Sequence, residues 1–315
     1  MKENKYTYKN RIRIVQNYQY SCFAFLGLLL FTVSCDKTAV PENTEKEQYK
    51  SYVTHVYEYV PAPGQFVNTL PAYEVGNTTE QMCNKCLTSF NNDTPVTLGA
   101  YGGYITVGFD HTILNVMGQN DFKVLGNAFD GSAEPGIVLV STDTNKDGIP
   151  NDGWYELAGS EYSKPATIHD YEIIYTRPTS ISEDVKWTDN KGGEGVVKYM
   201  TPTHTQSHYP IWITDNSLIF KGARLADNGA LNTAQTQWIM ASYDYGYADN
   251  KPSSGTGGYF NLEWAVDSNG KAVTVKGVDF IRIYTAVNQA IGLGVGEIST
   301  EVAGVEDLHP TATVE

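Results

Sequence analysis

The densest run of oxygen ligands in this sequence is Asp143-Thr144-Asn145-Lys146-Asp147-Gly148-Ile149-Pro150-Asn151-Asp152. Oxygen side chains at alternate positions, then a glycine, then a backbone carbonyl let a chain wrap a hard cation, and Ca²⁺ takes about six to eight oxygens. Asp143, Asn145, Asp147 and the carbonyl of Ile149 occupy those positions. Trp154 stands where an EF-hand carries its bidentate glutamate, so Asp152 or Glu156 is expected to close the shell. The same residues also suit a hairpin turn that needs no metal. In both cases the loop reads as structural, because no nucleophile neighbours it.

A second constellation is aromatic. Ser242–Asn250 (SYDYGYADN) sets Tyr243, Tyr245 and Tyr247 at every second position, with Asp244 and Asp249 between them. On a strand the three rings share one face. Facing outward they make a stacking platform for a sugar or a corrin edge; facing inward they are core. Trp187, Tyr209 and Trp212, in loop-like stretches, are candidates to extend the platform. His204 and His208 have the spacing of two imidazoles on one helical face, but their Pro- and Thr-rich surroundings read as a loop and lack the glutamate of a metalloprotease motif. His111 reads as a hydrogen-bonded residue at the edge of the core. No Gly-x-Ser-x-Gly elbow, His-Glu-x-x-His, phosphate loop or dinucleotide fingerprint occurs. The expectation is a non-enzymatic protein, with a spatially paired set of carboxylates for glycoside hydrolysis left open.

These residues sit among short runs of Val, Ile, Tyr, Thr and Phe cut by Gly, Pro, Asn and Asp. Tyr52–Val60, Gly103–Phe109, Phe122–Leu125, Gly136–Ser141, Tyr171–Arg177, Pro210–Ile213, Leu218–Lys221, Val273–Val275 and Phe280–Thr285 read as strands. Helix is expected only over Thr79–Ser89, with a turn near Val305–Leu308. The pattern predicts an all-β, antiparallel β-sandwich forming a single domain over residues 52–309, followed by a tail, 310–315.

Lys2, Lys5, Lys9, Arg11 and Arg13 precede an apolar run, Phe23–Val33, that ends in Ser34-Cys35. At 11 residues the run is too short to span a bilayer as a helix, which needs about 20. It reads as a lipoprotein signal peptide over residues 1–34, with lipid on Cys35 and a flexible polar tether over 35–51. The expected location is an outer membrane, held by the lipid alone. Without residues 1–34 the chain keeps 17 basic and 35 acidic side chains, a balance that repels nucleic acid and anionic headgroups. Cys83 and Cys86 then remain, as a local disulfide or two free thiols.

Leu98–Phe109 (LGAYGGYITVGF), Asp121–Phe129 (DFKVLGNAF), Glu134–Val140 (EPGIVLV), Val278–Thr285 (VDFIRIYT) and Gly296-Glu297-Ile298 form a series. It is similar to exported bacterial domains with a galactose-binding-like jelly roll of discoidin type. Val60–Tyr73, Phe109–Thr112 and Trp154–Tyr162 (WYELAGSEY) further resemble surface lipoproteins of gut anaerobes, which occur beside outer-membrane transporters for corrinoids or glycans. The resemblance implies capture of a nutrient for such a transporter, with a corrinoid such as cobalamin favoured and a carbohydrate as the alternative.

Overall fold

Apolar residues alternate at period two along most strands, and the strands pair antiparallel throughout. The computed structural model describes residues 49–201, 203–292 and 296–310. The expected signal peptide, Cys35, the expected tether up to residue 48 and the tail from residue 311 lie outside the described residues. In chain order the elements are β1 (His55–Val60), α1 (Thr79–Phe90), β2 (Val96–Thr97), β3 (Tyr104–Leu114), β4 (Phe122–Leu125) and β5 (Gly136–Ser141). There follow β6 (Trp154–Leu157), β7 (Ile168–Thr176), β8 (Val185–Asp189), β9 (Glu194–Val197), β10 (Ser217–Arg224), β11 (Gly229–Leu231) and β12 (Trp238–Met240). The last are β13 (Tyr259–Phe260), β14 (Ala265–Val266), β15 (Gly277–Thr285), β16 (Glu301–Val302) and β17 (Gly304–Asp307).

The chain is an all-β sandwich. A six-stranded sheet runs β1-β3-β15-β5-β6-β14, and a four-stranded sheet runs β10-β7-β8-β9. Ile105, Val107, Val138, Val140, Ile281 and Ile283 point to one face of the large sheet, where they pack with α1 and with Phe122, Val124 and Val305 of a small β13-β4-β17 sheet. Tyr104, Ile137, Leu139 and Tyr284 point to the other face and meet Tyr171, Ile173, Tyr175 and Phe220 of the four-stranded sheet. Both faces are covered, so β5 reads as a continuous apolar run rather than an alternating one.

Thr78 caps α1 through a capping box with Gln81, and Met82, Cys83, Cys86 and Phe90 form its buried face. The Gly-rich segment before β3 turns at Gly99, where φ is +71° and a Cβ would lie 2.0 Å from the Ala62 carbonyl oxygen. Three sequence expectations need correction. Pro210–Ile213 is not a strand, because the side chain of Asn68 takes over its backbone bonding. Asn68 Nδ2 donates to the carbonyls of Ser207 and Tyr209, and its Oδ1 accepts the Ile211 N–H. Val273–Val275 stays outside the ladders, although the Val273 N–H reaches the Ala265 carbonyl. The turn expected near Val305–Leu308 is instead β17, paired with β4.

Cys83 and Cys86 are free, buried thiols. Burial pushes Cys83 up to about 11 and Cys86 up as well, so neither offers the thiolate a redox pair requires. Alkylation of native protein, followed residue by residue with mass spectrometry, should leave both unmodified. Both should react fully after denaturation without reductant; a Cys83–Cys86 disulfide would remain unlabelled there.

Candidate functional site

The expected aromatic platform is not assembled. Ser242–Asn250 is a turn-rich segment rather than a strand, with Gly246 at φ +84° and the Asn250 side chain bridging the N–H and C=O of Tyr243. Tyr247 is core, its hydroxyl accepting the Glu161 N–H at 3.0 Å, and Tyr243 packs edge-on against it. Tyr245 alone turns outward, beside Trp264. Tyr209 and Trp212 are buried, Trp212 stacked with Tyr59. Trp187 lines a separate pocket of about 390 Å³ with Val196, Lys198 and Asn288. His208 is a core residue whose Nε2 accepts the Met200 N–H, and burial holds its pKa down. His111 joins Asp110 and Asp307 at 2.8 and 2.7 Å.

The Asp143–Asp152 loop closes on itself. Asp143 accepts the N–H groups of Asp147 and Gly148, Asn145 Oδ1 accepts that of Asp147, and Asp147 Oδ1 accepts that of Ile149. The Ile149 carbonyl accepts the Asn151 N–H, and Asp152 takes the N–H and hydroxyl of Thr144. Glu156 is not part of this loop. It pairs with Leu139, two rungs into the β5–β6 ladder from the Ser141–Trp154 pair at the loop end.

Glu156 instead lines a cleft of about 560 Å³, where the start of β7 and the end of β10 face β5, β6 and β15. The register aligns Glu58, Thr106, Arg282, Leu139, Glu156 and Val266 across the large sheet. Arg282 pairs with Glu58, bonds to Thr106 Oγ1 at 2.9 Å, and sits 4.3 Å from the centroid of Trp154 and 4.6 Å from that of Tyr104. Trp154 is thereby held as one wall. Tyr162, its ring tilted against His169 at 4.6 Å between centroids, forms another. At the mouth, Asp267 closes its own turn by accepting the N–H groups of Asn269 and Lys271, which lower its pKa. Glu156 has no hydrogen-bond or ion-pair partner among the described residues, and burial alone pushes its carboxyl up to about 7. A perturbed carboxyl beside aromatic rings in a concave site marks a candidate functional position.

One further acidic group escaped the sequence reading, because its members come from three distant segments. One oxygen each of Glu134, Asp249 and Glu301 lies within 4.8 Å of the others, and these three could hold a cation. Asp249, expected beside the tyrosine platform, is fully buried. It accepts the N–H groups of Asn127, Ala128 and Glu301. Burial, reinforced at Asp249 by the charge of Glu134, pushes Glu134 up to about 7 and Asp249 up to about 8. Burial also pushes nearby Glu297 up to about 8.

No protein-family model matches the chain, and no curated protein matches it. The buried acids carry a definite pH signature. Their folded pKa values lie above the ordinary carboxylate range, so the stability tied to their protons is complete below about pH 4 and is lost as pH rises through about 7–8. The melting temperature should therefore fall between pH 5 and pH 9. Each kcal/mol moves it about 2–4 °C in a domain of roughly this size. Glu134→Gln should flatten that fall; an unchanged slope would remove these carboxyls as its source.

Proposed function

We propose that the protein is a lipid-anchored surface protein that captures a carbohydrate in the cleft at Glu156. The carrying observation is one unpartnered carboxyl set beside the Trp154 and Tyr162 rings in a space of about 560 Å³, within the ~300–1,000 Å³ usual for small-molecule sites. Sugars present an apolar ring face to an aromatic wall and hydroxyls to polar groups, and Ser268 and Asn269 at the rim supply further polar groups. A cleft of this size suits one or two sugar rings better than a corrin macrocycle with its side groups, so carbohydrate displaces the corrinoid as the favoured ligand. Binding is favoured over hydrolysis because Asp267, the cleft's other carboxylate, is committed to its own turn, whereas hydrolysis needs two working carboxyls. Anchoring at Cys35 and delivery to an outer-membrane transporter rest on the sequence resemblance. Among the described residues no helix is long and apolar enough to cross a membrane. Calcium in the Asp143–Asp152 loop rests on the spacing of its oxygens.

Titration calorimetry of the purified protein against a glycan panel should give heat with at least one sugar and a change in Trp154 fluorescence. Trp154→Ala should weaken that binding about two- to tenfold, in line with ring contacts worth about 0.5–1.5 kcal/mol. Absence of any binding across the panel would overturn the reading. For the loop, a chelator should lower the melting temperature in wild type but not in Asp147→Ala. Identical melting of wild type with calcium and with chelator would remove the ion.

A further inference from the structure

Resting on the carbohydrate-binding reading, the chemistry of the cleft narrows the ligand further. The titratable groups facing Glu156 are Tyr162, His169, Asp267 and Tyr284, with Tyr101 and Tyr247 behind them. Among the described residues no lysine or arginine lines the cleft, although the charge of Lys271 bears on Asp267 at its mouth. The guanidinium of Arg282 lies against Trp154 and is paired with Glu58. Tyr284 is spent on Ala223, accepting its N–H at 3.0 Å and donating to its carbonyl at 3.1 Å. The charges of Glu156 and Asp267 both bear on the Tyr162 phenol, so the aromatic wall lies in a negative field. The whole chain adds to that field with a net charge of −14. A neutral sugar hydroxyl satisfies a hydrogen bond here but leaves the carboxylate uncompensated when it ionises. An ammonium group does both, and electron-rich rings favour it as well.

We infer that the cleft takes a ligand bearing a protonated amine, a hexosamine with its nitrogen unsubstituted, with Glu156 as the counter-charge and Trp154 and Tyr162 as the walls. Acetylation of the nitrogen removes the charge and should remove most of the affinity. The gain depends on pH, because the amine binds the ionised carboxylate and draws its proton off.

The test is calorimetry at pH 7 with glucosamine and galactosamine, each beside its parent hexose and its N-acetyl derivative. In wild type the free amine of at least one series should bind about tenfold or more tightly than both neutral forms. In Glu156→Gln that ratio should fall to about one. Carbon-13 NMR of the Glu156 carboxyl in wild type reads the same coupling without a variant. Its titration midpoint should drop on adding the amine and stay put with the N-acetyl sugar. Neutral sugars binding as tightly as the amines, or a midpoint unmoved by the amine, would overturn the inference and leave carbohydrate capture standing. No sugar of any kind binding would overturn both.

Discussion

The large sheet is covered on both faces, and that double burial governs where every other residue can go. Along β5 and β15 successive side chains enter different cores: Val138, Val140, Ile281 and Ile283 pack toward α1, while Ile137, Leu139 and Tyr284 pack toward the four-stranded sheet. A slip of one residue would exchange the two sets, placing Arg282 in the core under α1. The register is therefore held from both sides. It also fixes the row from Glu58 to Val266, of which Leu139, Glu156 and Val266 line the cleft.

Burial of this extent leaves little water for polar groups, and the acids reveal its cost. Glu134, Asp249, Glu301 and Glu297 are all withdrawn from solvent, and burial raises every one. Hydrogen bonds offset part of this. Asp249 takes three backbone N–H groups, and Glu301 takes the hydroxyls of Thr97 and Ser299. Asp249 also sits at φ +49°, a left-handed conformation disfavoured for residues with a side chain, which those bonds hold in place. Gly126 makes room for it, since a Cβ there would lie 2.5 Å from Asp249 Oδ1. The cluster ties β2, β16 and the segments around Glu134 and Asp249 to one another through N–H and hydroxyl groups donated to its carboxyls.

The strands were legible where side-chain pattern and burial agree. Phe122–Leu125 and Gly136–Ser141 have the bounds their sequence pattern gives, and the helix expected over Thr79–Ser89 runs one residue further, to Phe90. Reading failed where a distant side chain replaced a ladder, as Asn68 does at Ile211. It failed again where a glycine turned an alternating pattern into a bend, as Gly246 does between Tyr245 and Tyr247. Aromatic spacing alone cannot tell a platform from a core, and the burial of Tyr209, Trp212 and Tyr247 is set by partners far along the chain.

Glu156 is the instructive residue. Its distance in sequence from Asp152 made it a natural choice to close the Asp143 loop, yet strand geometry carries it away. From the Ser141–Trp154 rung, two residues of β6 advance it by about 7 Å along the strand, onto the cleft face. There the row of paired positions decides its state. Glu58 and Arg282 neutralise each other near one end, and Leu139 separates that pair from Glu156 with an apolar side chain. The row has two carboxylates and one guanidinium, so its last acid is left without a counter-charge. An unpaired charge in a buried position is costly unless a proton or a ligand neutralises it. The proposed preference of the cleft for a cationic group thus rests on the register of the sheet beneath it.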